Sequence, residues 1–308
     1  MLDQFKKGSF QITIGFIGFS ILFLAIPYFS ISDWTSNLLV YSLIGTVSIP
    51  ILHAIILNNL IYDKDVIRKY NFVLAPVFVL FSGYFKIITE FWVFSFFLLF
   101  FFNFLLNSYQ KKYPFSAFFN SSFIIGLLSL FNSDLIFYLL LIVLVGLLFE
   151  NLTWRSFAAI VFGFFTPIVF YCFLHFLFID QNFFFPILVG FETPIVRIDL
   201  AFFSLDRALS LSVLFIVFSF SIIELARWLY KKSIKSRKSF IVLFFYILIT
   251  LFIILKCNDS ASWYLLLTPL SVIFTNYFVY SDKNKIINLL FLCLIISSIY
   301  FRVINIFL

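Results

Sequence analysis

FFNSSFIIGLLSLFNSDLIFYLLLIVLVGLLFE, Phe118 to Glu150, is apolar over most of its length and broken at its middle by Asn132, Ser133 and Asp134. As one α-helix at 1.5 Å per residue it would be roughly 50 Å long, far beyond a hydrocarbon core about 30 Å thick. The polar break predicts a hairpin of two short spans. Residues 72 to 106 have the same form, with Lys86 to Glu90 as the interruption, and are read the same way.

Outward from these two runs, apolar segments long enough for one crossing each lie near 10 to 29, 38 to 57, 157 to 179, 208 to 229, 240 to 256, 261 to 280 and 286 to 304. With two hairpins the total is eleven crossings; with two single helices it is nine. Charge discriminates between these counts, because cationic loops are retained on the cytoplasmic side during insertion. In the eleven-span reading with the N-terminus inside, the inner loops collect sixteen of the 21 Lys and Arg residues: Lys6, Lys7, Lys64, Arg68, Lys69, Lys111, Lys112, Arg155, Arg227, Lys231, Lys232, Lys235, Arg237, Lys238, Lys283 and Lys285. The outer side keeps Lys86, Arg197, Arg207, Lys256 and Arg302. Nine crossings would put Lys111 and Lys112 outside, so the alternation favours eleven. The expected fold is all-α, a polytopic transmembrane helix bundle in a bacterial inner membrane, with residues 1–308 as a single integral membrane domain. The longest loops, near 180 to 207 and 230 to 239, leave no soluble domain.

Composition agrees. At 63% hydrophobic and 11% charged residues, with a mean hydropathy of +1.12, a water-soluble globule could not hide its apolar surface. The net charge of +7 follows loop parity rather than forming one patch, which argues against nucleic acid as a partner. Cys172, Cys257 and Cys293 are odd in number and far apart, giving neither a disulfide framework nor a CxxC metal knuckle. The N-terminus has the charge pattern of a signal sequence but lacks a small-x-small cleavage site, so it is expected to remain as the first span. Trp34, Trp92 and Trp263 fall at the expected outer boundary and Trp154 and Trp228 at the inner one, where amphipathic indoles prefer to lie.

Groups able to do chemistry are few. His53 is expected near the inner end of the second span and His175 near the outer end of the seventh, so they do not share a metal, and no metal site is expected. Glu224, deep in an apolar span, is expected to pair with Arg227 three residues on or to snorkel toward the boundary. Eight of the fourteen acids lie on the outer side, and Asp33, Glu90, Asp134 and Asp259 occupy tight turns there. Brought together, these four could hold a polar headgroup, one of them as general base, with Lys86, Arg197 or Lys256 binding phosphate. The plainer reading is that the orientation rule hardly penalises acids outside. The segment from Asn182 to Arg207 mixes aromatic and charged residues as an interfacial connection does. Lys231 to Lys238 would attract anionic lipid, and equally serve as a topology anchor.

The stretch from Phe118 to Leu177, with Trp154, Arg155, Gly163 and Pro167, and the sequence ILNNLIYDKD at residues 56–65, resemble an uncharacterised polytopic inner-membrane family of Bacteroidota-type bacteria. That resemblance implies location and architecture only. In span number, cytoplasmic N-terminus and an acid in the first outer loop, the chain is also distantly similar to membrane glycosyltransferases that use polyprenyl-phosphate sugars. Those enzymes carry a long first outer loop, whereas Asp33 stands in a loop of about eight residues as the span boundaries are read.

The functional expectation is an inner-membrane protein of envelope biogenesis acting at the outer face on a lipid-linked or glycan substrate. Membrane lipid and a lipid-linked glycan would be its partners; no cofactor is specified. The alternative is a nonenzymatic scaffold or assembly subunit that packs against another membrane protein through small residues such as Gly15 and Gly18. A transporter ranks third, since that function calls for several carboxylates near mid-membrane.

Overall fold

The computed structural model describes residues 2–8, 10–30, 37–84, 89–178, 205–257, 260–281 and 284–307. These residues form helices: α1 (Leu2–Lys7), α2 (Phe10–Ala25), α3 (Asn37–Asp63), α4 (Leu74–Ser82), α5 (Thr89–Asn107), α6 (Phe115–Ser129), α7 (Tyr138–Leu148), α8 (Trp154–Phe178), α9 (Leu205–Leu229), α10 (Ile234–Cys257), α11 (Leu267–Tyr280) and α12 (Asn284–Phe307). Short 3-10 turns at Ile26–Ser30, Ser133–Phe137 and Ser260–Leu266 precede or follow them. Among the described residues seven helical segments are long and apolar enough to cross a membrane, at Phe10–Tyr28, Ser42–Asp63, Trp154–Leu177, Ser212–Leu229, Ile234–Lys256, Ser262–Tyr280 and Lys285–Val303. They coincide with the seven single spans read from hydropathy.

The chain folds as two compact units, the first comprising residues 1–96, 198–237 and 263–308 and the second residues 97–197 and 238–262.

In the first unit α11 is the central element: 89% of the most apolar stretch of Ser262–Tyr280 is buried, against 22% for Phe10–Tyr28 and 17% for Ser212–Leu229. Its Phe274 meets Phe81 edge-on at 5.5 Å and its Phe278 meets Phe291 at 5.5 Å. Without water to drive them together, such helices associate through close packing and interhelical hydrogen bonds. One end of this unit gathers several loops. The Phe72 amide donates to the Phe5 carbonyl at 2.9 Å, the Ser236 hydroxyl to the Val66 carbonyl at 2.8 Å, and the Arg68 amide to the Tyr280 hydroxyl at 3.1 Å. Lys235 Nζ lies 2.8 Å from Asp65 Oδ2. The chain enters α2 from this end through Gly8, whose φ of +60° suits glycine, and where an added Cβ would strike the Tyr70 ring. Cation-rich segments separated in sequence thus share one end of the unit, as the alternation requires.

In the second unit the run 118–150 does turn back at its polar break. Asn132 adopts an extended conformation (φ −140°, ψ 105°), and its side chain accepts the Asp134 amide at 3.0 Å, starting the turn that leads into α7. At the other end of the hairpin, Asn151 Nδ2 donates to the Ser108 carbonyl at 2.8 Å. Residues before α6 and after α7 are therefore neighbours, which a single helix over this run would forbid. The arm Ser133–Leu148 lies antiparallel to α10, held at Lys238–Glu150 (3.2 Å), Tyr138–Thr250 (2.7 Å) and Lys256–Asp134 (2.5 Å). Between Lys238 and Lys256, α10 rises about 27 Å, close to the hydrocarbon thickness. Thr250 uses its one hydroxyl proton on the Tyr246 carbonyl, so in the central contact Tyr138 is the donor. Helices α6 and α8 cross at small residues: a Cβ on Gly126 would run into the backbone of Phe164, and one on Gly163 into Phe119 and Ser122.

Several expectations are revised. In the first run α4 ends at Ser82, ahead of Lys86, and α5 begins at Thr89, so its two arms are separate helices, but α4 has nine residues and spans only about 14 Å. It falls well short of a crossing by itself. Trp92 is enclosed by protein rather than facing lipid: it is 1% exposed and packs 4.7 Å from the Tyr264 ring, whereas Trp154 is 80% exposed. Of the two expectations for Glu224, pairing with Arg227 is not seen among the described residues; the carboxylate reaches one full turn on and accepts from the Trp228 indole Nε1 at 2.6 Å.

Candidate functional site

Asp134 and Lys256, two of the residues singled out for an outer-face site, meet directly. Asp134 stands in the first turn leading into α7 and Lys256 in the last turn of α10. Because these elements are antiparallel, an acid at a helix start comes beside a base at a helix end, and each charge also suits the dipole of its own helix. Asp134 Oδ1 lies 2.5 Å from Lys256 Nζ, with side-chain exposures of 16% and 20%. The ammonium also lies over the Phe137 ring at 5.1 Å. The pair is a clamp between the start of the second hairpin arm and the end of α10.

The other five predicted residues are not joined to this pair by the described structure. Asp33, Lys86, Arg197 and Asp259 lie outside the described residues, as do Trp34 and most of the expected interfacial segment. Glu90 is in the first turn of α5, with its side chain outside the description.

Polar residues that hydropathy treated as incidental form a buried file in the first unit. His53 is wholly buried, its Nε2 3.2 Å from Thr268 Oγ1 and its ring stacked on Phe78 at 4.4 Å. Its Nδ1 has no hydrogen-bond partner among the described residues. Along α11 the file continues through Ser271 and Thr275, which donate to the carbonyls of Thr268 and Ser271 at 2.9 and 2.7 Å. Such back-bonding satisfies these hydroxyls within their own helix. The expected position of His53 near a helix end is wrong. Helix α3 runs on to Asp63, placing His53 about 15 Å from that end.

Arg302 is the other misplaced group. Expected at the outer end of the last span, it is 4% exposed, with Nε donating to the Phe23 carbonyl at 3.3 Å and Nη2 to the Leu24 carbonyl at 3.4 Å. Its guanidinium carbon lies 5.1 Å from the Phe23 ring centre. No signal in the residues around Arg302 distinguishes a buried cap from a boundary cation; the clue is Pro27, which ends α2 and frees carbonyls that need a donor.

No family model, curated protein or solved structure matches the chain.

Proposed function

We propose that this chain is a multi-pass inner-membrane protein of envelope biogenesis, with a cytoplasmic N-terminus, that acts at its outer face on a lipid-linked or glycan substrate. The resemblance to an uncharacterised Bacteroidota-type membrane family is retained as part of this proposal. The observation that carries it is the contact of Asp134 with Lys256 at the end of the second unit opposite Lys238. It supplies a carboxylate for base chemistry and an ammonium for phosphate at one point, the two kinds of group such a substrate demands. Purification in native lipid followed by mass spectrometry tests the reading. A polyprenyl-phosphate-linked species should copurify with the wild type and be lost from Lys256→Gln, compared at a temperature where circular dichroism shows both proteins folded, since losing the clamp to Asp134 lowers Tm as well; its retention by the folded variant would overturn the assignment.

A second reading, a nonenzymatic assembly subunit, is supported by α2. A Cβ added at Gly15 or Gly18 would meet nothing within 4 Å, and an apolar crevice of about 270 Å³ beside Gly15 is walled by Phe5, Ile12, Phe16 and Phe291. Close approach of a helix from another membrane protein would fill such a face. Bulky substitution at Gly15 and Gly18 should then abolish copurification of that protein without altering lipid content.

A further inference from the structure

The cation-rich end of the first unit holds a cavity of about 400 Å³, and its wall carries Arg68, Lys69, Lys231 and Lys232 together with Ser233 and Ser236. No carboxylate is among its lining residues. Among the described residues, Asp65 is engaged with Lys235 at 2.8 Å and Glu224 accepts from the Trp228 indole at 2.6 Å. Orientation of the chain explains why cations occupy these loops. It does not explain why four of them, from two loops far apart in the sequence, surround one cavity.

The gathering is built by contacts that do not involve a ligand. The Ser236–Val66, Lys235–Asp65 and Arg68–Tyr280 contacts tie the loop after α3 to the connection between α9 and α10. Lys232 Nζ donates to Asn276 Oδ1 at 2.7 Å and lies 4.2 Å over the Tyr280 ring, while Lys231 lies 5.0 Å over Trp228. The aromatic floor, with Trp228 and Tyr280 centroids 6.3 Å apart, belongs at headgroup depth. Burial pushes Lys232 down to about 8, a cost that an anion in the cavity would offset. The Ser236 amide donates to the Ser233 hydroxyl oxygen at 3.3 Å, so the start of α10 also faces this region with its positive dipole end.

We propose that this cavity binds a phosphate group, as carried by the headgroup of an anionic lipid or by free phosphate, through Arg68, Lys69, Lys231 and Lys232. The site lies in the first unit and is independent of the outer-face reading. Basic pockets between membrane helices recognise phosphate-bearing headgroups by this chemistry.

The test uses the full chain in detergent. Thermal shift and native mass spectrometry are recorded with phosphatidic acid, with phosphatidylcholine and with inorganic phosphate, for the wild type, Lys69→Gln/Lys231→Gln and Lys111→Gln/Lys112→Gln. The expected result is stabilisation and retention of phosphatidic acid over phosphatidylcholine, weakened about 30-fold in the first double variant and unchanged in the second. Inorganic phosphate reproducing the shift identifies a free anion as sufficient; a shift with phosphatidic acid alone identifies the lipid. Equal loss in both double variants would reduce the effect to general surface charge and overturn the site, as would no preference for phosphate in the wild type.

Discussion

Arg302 Nε donates to the carbonyl of Phe23, the carbonyl that the amide of residue 27 would take were that residue not Pro27. A proline that ends one helix is thus matched by a cation from the last helix. Arg302→Met should leave two buried carbonyls short of donors, at about 1–3 kcal/mol for each unsatisfied group, and lower Tm in detergent by several degrees. Pro27→Ala restores an amide to Phe23. The double variant should therefore lose less than the sum of the two single effects; strict additivity would mean that Arg302 does not serve as the cap.

The α6–α8 crossing depends on the absence of side chains at Gly126 and Gly163. Gly163→Leu should force the helices apart and destabilise the protein by roughly 1–3 kcal/mol, read as a lower Tm and faster proteolysis. Gly15→Ala, where the added carbon meets nothing within 4 Å, should be neutral. Equal tolerance at both positions would contradict the close crossing.

Stability should respond to pH through Lys232 and Asp65 in opposite ranges. Lys232 falls from an ordinary 10.5 to about 8 in the folded protein. Between those values the unfolded chain holds more protons on this group, so its contribution to stability rises with pH. Melting curves from pH 7.5 to 10 without phosphate should show that rise, flattened in Lys232→Met. The Lys235 hydrogen bond holds Asp65 below 3.8, so its contribution is present above that value and is lost as pH falls through the lowered one. Asp65→Asn should lack this acid-side loss.

With the native cysteines replaced, membrane-impermeant labelling should find Lys111→Cys and Lys235→Cys on one side and Asp134→Cys on the other. Intact cells should label only the last. Opposite sides for residues 111 and 235 would undo the hairpin, because Asn151 ties the Ser108 loop to the end at which Glu150 meets Lys238.

Apolar length and loop charge are properties of a one-dimensional string, and they located seven spans and the turn at Asn132 to Asp134 without reference to contacts. Asn132 and Asp134 announce their turn locally, since the cap is made within two residues. Lys256 could be named as a cation at a helix end, but its contact with Asp134 arises from the antiparallel packing of α7 and α10. Only tertiary structure decided the rest. Asn58 and Asn59 look like the end of a span, yet α3 continues because Asn58 Nδ2 finds the Asn71 carbonyl at 3.1 Å. Trp92 and Arg302 read as boundary residues until neighbouring helices enclose them. Arg68 and Lys69 are topology signals in sequence and become part of one cavity with Lys231 and Lys232 through folding. Hydropathy measures the transfer of each segment from water to lipid, and no sum over single segments contains the interhelical hydrogen bonds that fix which polar groups meet.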